Sequence, residues 1–133
     1  MKAIRIHDLT RGVLDFDLKD ILAALGSRAA NSTWIVSAVE GEEEFGLDAT
    51  GPASGTLEHL AQTGTRISGK HLLKLAKNTR QVIWGKFIGY DASSTDPWIV
   101  VIAFDSTWFE IRSTDEPAIT RLRKAFKDVR SVT

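Results

Sequence analysis

The segment GTRISGK at residues 64–70 has the spacing G-x-x-x-x-G-K of a phosphate-binding loop. In such a loop glycine lets backbone N–H groups wrap a phosphate while the lysine reaches its oxygens. A Ser or Thr should come next to hold magnesium, and here His71 does. The loop should also follow a buried strand, whereas residues 56–63 (TLEHLAQT) have helical spacing. The apolar run WIVVIAF, closed by Asp105, imitates the strand with a terminal Asp that partners such loops. The parallel strand–helix alternation that those enzymes need is missing around it. A helix boundary fits the surroundings better, with Gly64 ending one helix and Ser68 capping the next.

Asp105, then Glu110 and Arg112 across a turn, is a pattern in which two carboxylates hold a metal beside a cation. Nucleases built this way usually carry lysine where Arg112 stands. Glu110 and Arg112 fall on one face of a strand, so a simple ion pair explains them equally. His7, His59 and His71 show no i, i+4 pair and no H-E-x-x-H. The nearest text to a nucleophile elbow is GPASG at 51–55, where Ser54 reads as a loop or cap residue. No catalytic residue, metal site or cofactor is therefore expected.

Binding residues are easier to nominate. Lys70, Lys74, Lys77 and Arg80 recur at steps of four and three, so the first three share a helix face. With Trp84 and Lys86 nearby, such a face would follow a nucleic-acid backbone. It also reads as the solvated back of a helix whose front is Leu72, Leu75 and Ala76. Trp34, Trp84, Trp98 and Trp108 all fall in expected strands. Trp108 shares its face with Glu110 and Arg112 and opposes Phe109 and Ile111, so it should point away from the core. Glu42, Glu43 and Glu44 crowd an expected hairpin tip, where acidic charge would select a basic partner.

These residues need elements to hold them. Residues 1–7 alternate, with Ile4 and Ile6 opposed to Ala3, Arg5 and His7, as in a strand. Asp17 is placed to cap a helix carrying Leu18, Ile21, Leu22 and Leu25, expected to run to about Ala30. Residues 33–40 read as a strand, with a return strand at 44–49. Short helices follow, the first capped by Thr56 and the second by Ser68. Residues 81–90, 98–104 and 107–112 read as an antiparallel meander. A final helix runs from about Glu116 to Asp128 with Ile119, Leu122, Phe126 and Val129 on one stripe. WIVVIAF is apolar at every position, as in a central strand covered on both faces, and helices would supply both covers.

The expected architecture is one α+β domain over residues 1–133. It is a mainly antiparallel, twisted sheet, with 98–104 as its central strand, packed with about four helices. The chain has 133 residues and no cysteine, so neither disulfides nor cysteine-bound zinc contribute. A cytoplasmic location is expected. No apolar run approaches the roughly 20 residues of a membrane span, and MKAIRIHDLTRG does not read as a secretory signal. The formal charge is zero, but the first 66 residues carry six Lys/Arg against ten Asp/Glu and the rest eleven against seven. That is not the basic excess of a dedicated nucleic-acid binder.

The sequence thus leads to a non-enzymatic protein-binding module, in one version an immunity- or antitoxin-like protein that meets a basic partner. Its contact residues would be Glu42, Glu43, Glu44, Trp108, Glu110 and Arg112. The alternative is a metal-dependent nucleic-acid enzyme or nucleic-acid-binding protein using Asp105, Glu110 and the face of Lys70, Lys74, Lys77 and Arg80. A homo-oligomer whose acidic and basic halves meet in trans is a third arrangement, and no membrane partner is expected.

Overall fold

In the computed structural model, which describes residues 1–39 and 46–132, the chain alternates strands and short helices. It begins with β1 (Lys2–Ile6), a small hairpin of β2 (Leu9–Thr10) and β3 (Val13–Leu14), then α1 (Leu18–Leu25) and α2 (Ser27–Asn31). Next come β4 (Thr33–Ser37), β5 (Asp48–Thr50), α3 (Ser54–Thr63), β6 (Ile67–Ser68) and α4 (Gly69–Lys77). The chain then forms β7 (Gln81–Tyr90), β8 (Pro97–Phe104), β9 (Trp108–Ser113), α5 (Glu116–Ala125) and β10 (Val129–Val132). The sheet is antiparallel in every pairing, in the order β10-β1-β9-β8-β7-β4-β6, with β5 also on β7. WIVVIAF is therefore the interior strand β8, and the α+β reading holds.

Local chemistry accounts for most boundaries. Asp17 accepts from Leu18 N at 2.8 Å while Asp20 accepts from Asp17 N at 2.8 Å, a reciprocal cap that starts α1. Gly26, at φ +74°, breaks the expected long helix into α1 and α2, so the described residues form five helices, close to the four or so expected. Asp105 and Ser106 both have positive φ, and Thr107 N donates to Phe104 O at 2.8 Å. The three residues Asp105, Ser106 and Thr107 thus form a tight connection between β8 and β9.

Three expectations are corrected. The strand after residue 46 does not return along β4; β5 pairs with the first half of β7, while β4 takes the second half. Strand β7 is ten residues long, long enough to seat both short strands on one edge. Helix α3 starts at Ser54 without a side-chain cap, so Thr56 lies inside it. Helix α5 ends at Ala125, and Val129 belongs to β10, not to a helical stripe. The buried carboxylate of Asp8 accepts from Lys127 N and Asp128 N at 2.6–3.0 Å, which bends the chain back along β1.

The main core lies on one face of the sheet. Leu18, Ile21, Leu57, Leu72, Ile119 and Leu122 of the helices pack with Ile6, Phe87, Ile99, Val101, Phe109 and Ile111 of the strands. Truncating one of these, such as Phe87 to Ala, would cost about 3–5 kcal/mol from lost transfer energy and the cavity left behind. The opposite face holds a second cluster of Val39, Val100 and Ile102, with Trp84, Ile88 and Phe104 against it. Among the described residues no helical residue belongs to that cluster, so the expectation that helices cover β8 on both sides is corrected: the described helices share one side.

Asp17 also accepts from Val82 N of β7 at 3.0 Å, tying α1 to the sheet. Burial raises its carboxyl to about 6, against the pull of the hydrogen bonds from Leu18 and Val82. The folded state then binds this proton more tightly than the unfolded chain, whose value is 3.8. The stabilising contribution is complete below the unfolded value and is lost as pH rises through about 6. Urea denaturation should therefore show a gain on the order of 1 kcal/mol on going from about pH 7 to about pH 5, absent in Asp17→Asn. An identical response in both proteins would refute this account.

Candidate functional site

Because strand side chains alternate, the helix-free face is set by residue parity. Arg5 of β1 lies opposite Glu110 of β9, Glu110 opposite Ile102 of β8, and Ile102 opposite Lys86 of β7. The adjoining row runs Ala3, Arg112, Val100, Ile88. Toward the β8–β9 turn, Phe104 lies opposite Trp108.

Four rings line up beside that turn. His7 stacks on Trp108 with centroids 5.6 Å apart, and Trp108 stacks on Phe104 at 5.3 Å. Trp84 meets Phe104 edge-on at 6.1 Å. All four are half-buried. The guanidinium of Arg5 lies 5.0 Å from the centre of the Trp108 ring, a cation–π contact. Burial, followed by the charge of Arg130, holds His7 below the usual imidazole range, so the ring is neutral at neutral pH. The indole N–H of Trp108 is buried and has no acceptor among the described residues.

Beside the rings lies a buried acid. The Glu110 side chain is 3% exposed. Its Oε1 accepts from Arg5 Nε at 3.0 Å and its Oε2 from Arg112 Nε at 2.6 Å, with Arg112 Nη2 in ion-pair contact at 2.6 Å. The two arginines remain 39% and 47% exposed, so the carboxylate is sunk into the sheet while its cations stay wet. A buried carboxylate costs several kcal/mol in desolvation unless such partners compensate it.

The structure thus brings together three of the residues nominated from sequence: Trp108, Glu110 and Arg112. Trp108 points away from the main core as expected, but it is held between two rings instead of standing alone. Glu42, Glu43 and Glu44 lie outside the described residues. Lys70, Lys74, Lys77 and Arg80 are exposed on α4 and just after it. They do not join Trp84 and Lys86, because α4 packs through Leu72 and Ala76 on the helical side of the sheet. That part of the nucleic-acid reading is corrected.

The two-carboxylate metal reading is corrected as well. Asp105 sits exposed in the turn, while both oxygens of Glu110 are taken by arginine. Among the described residues no group of three His, Cys, Asp or Glu is placed to hold a metal ion. GTRISGK is not a phosphate loop: Gly64 ends α3 in the left-handed conformation and Ser68 caps α4 by accepting from His71 N at 3.1 Å. Gly69 N donates to Ser32 O at 2.8 Å, and a Cβ on Gly69 would fall 1.9 Å from Ala29 O. That backbone is pressed against protein. The sequence reading gives Arg5, His7 and Phe104 no place in a contact surface, and it sets Trp84 only beside the basic residues of α4. Parity places Arg5 and His7 on one face, but their meeting with Glu110 and Trp108 needs the β1–β9 register, which no local pattern carries.

Comparison with family models, curated proteins and solved structures found no match.

Two sets of variants check this geometry. Arg5→Ala with Arg112→Ala leaves Glu110 uncompensated and should cost at least about 3 kcal/mol, most of it recovered by adding Glu110→Leu. Equal stability of the double and triple variants would contradict it. Trp98 Nε1 donates to Ser32 Oγ at 2.9 Å, whereas Trp108 Nε1 has no acceptor among the described residues. Trp98→Phe should therefore destabilise by about 1–3 kcal/mol, and Trp108→Phe by clearly less, as read from denaturation midpoints.

Proposed function

We propose that this chain is a non-enzymatic protein-binding module whose contact surface is the helix-free sheet face around Trp108. The observation that carries the reading is the stacking of Trp108 between His7 and Phe104 beside Arg5, which shares Glu110 with Arg112. Proteins that bind single-stranded nucleic acid offer open ring faces on which bases stack. Trp108 instead already stacks on His7 and on Phe104, with the Arg5 guanidinium 5.0 Å from its ring centre. Tryptophan and arginine in such a setting are the residues that dominate protein–protein contacts. The row also carries its own rigidity, which lowers the ordering cost of binding.

An immunity- or antitoxin-like role, with Glu42 to Glu44 facing a basic partner, is a finer version of this reading and rests on sequence alone. A nucleic-acid role would use the other side of the molecule, through Lys70, Lys74, Lys77 and Arg80.

The test is capture of a stoichiometric protein partner from native lysate, with Phe104→Ser as the surface variant and circular dichroism as the folding control. The partner should be recovered by the unmodified chain and lost with Phe104→Ser. Salt-sensitive binding of labelled oligonucleotides, abolished by reversing Lys70, Lys74 and Lys77 to Glu, would instead establish the nucleic-acid reading.

A further inference from the structure

From the arrangement of Glu110 we infer that Arg5 and Arg112 form a preorganised carboxylate clamp, which receives an acidic side chain of the partner protein. This rests on the protein-binding reading above and deepens it. Two guanidinium groups converge on one carboxylate that is 3% exposed, which leaves the trio one positive charge in excess at the surface. Each guanidinium carries five N–H donors. Glu110 accepts from Arg5 Nε and from Arg112 Nε, and Arg112 Nη2 stands in ion-pair contact with it. Among the described residues nothing accepts from the remaining donors of either arginine.

Burying an acid to hold two wet cations is a poor way to gain stability, because surface pairs contribute little and the buried partner costs desolvation. It is an effective way to fix two forked donors before a ligand arrives, and a fork matches a carboxylate in two hydrogen bonds. The nearby cation Arg130, opposite Arg5 on β10, is closed on Asp128 at 2.9 and 3.0 Å and is not part of the clamp. Arg5 also reaches over Trp108, so clamp and ring row form one continuous surface. A partner segment with an acidic residue beside an apolar one fits both.

The Nε–Hε resonances of Arg5 and Arg112 report directly on this site. Titration of the intact chain with a hexaglutamate peptide should move both signals saturably, while hexaglutamine leaves them in place. The variant Arg5→Gln, Arg112→Gln, Glu110→Gln leaves no uncompensated buried charge and should bind hexaglutamate about tenfold more weakly or worse. Unmoved signals, or unaltered affinity in the triple variant, would overturn the inference. Equal shifts with a thymidine oligonucleotide of matched charge would also overturn it, in favour of a phosphate site. If Phe104→Ser loses the native partner and the triple variant keeps it, the clamp falls and the protein-binding reading stands.

Discussion

Everything distinctive about this molecule follows from a two-residue period meeting a one-sided layer of helices. Strand residues alternate in direction. Once α1, α3, α4 and α5 place their apolar residues in one cluster, every strand has an inner and an outer parity. The inner parity is uniformly apolar along Ile4, Ile6, Phe109, Ile111, Val101 and Ile99. The outer parity is released from that demand. It collects Arg5, His7, Trp84, Phe104, Trp108, Glu110 and Arg112 in adjoining rows, because the β1–β9–β8–β7 register brings them opposite one another. A slip of one residue between any two of these strands would push arginine and glutamate against the helices.

Three carboxylates with low exposure show how differently one group is used. Asp8 and Asp17 close on backbone N–H groups and direct the chain: Asp8 turns it from α5 into β10, and Asp17 starts α1 and pins it to β7. Glu110 closes only on side chains, and those side chains face solvent. Backbone partners make the first two part of the frame. Guanidinium partners make the third a support for a surface. Arg28 performs a comparable structural task in reverse. It lies 4.2 Å from the Trp98 ring centre and bonds Asp91 and Asp115, which joins the β7–β8 connection to the cap of α5. The hydrogen bond from Arg28 lowers Asp91. For Asp115, burial pulls upward, and the bonds from Arg28 and from the Ala118 amide outweigh it.

Elements whose causes are short-range were legible from the residues alone. A cap at Asp17, a left-handed stop at Gly64, a cap at Ser68 and a tight turn at Asp105 and Ser106 each depend on neighbours a few positions away. The outward direction of Trp108 was legible for the same reason, since Phe109 and Ile111 set the parity of one strand. Strand β10 was not legible, because Ile119, Leu122, Phe126 and Val129 fit helical spacing and the force that ends the helix is Asp8, more than a hundred residues earlier. The metal pair had the same origin: Asp105 and Glu110 are close in sequence, but distant Arg5 takes one oxygen of Glu110 while neighbouring Arg112 takes the other.

The order of residue types, taken alone, settles the α+β character, the interior place of WIVVIAF, most helix starts and which side chains share a strand face. These depend on period, propensity and caps, which act over a few residues. Tertiary structure decides that the helices gather on one side, that β5 joins β7, and that Arg5 and His7 meet Glu110 and Trp108. Those outcomes are long-range pairings, and their free energy comes from burying surfaces whose partners lie far apart along the chain.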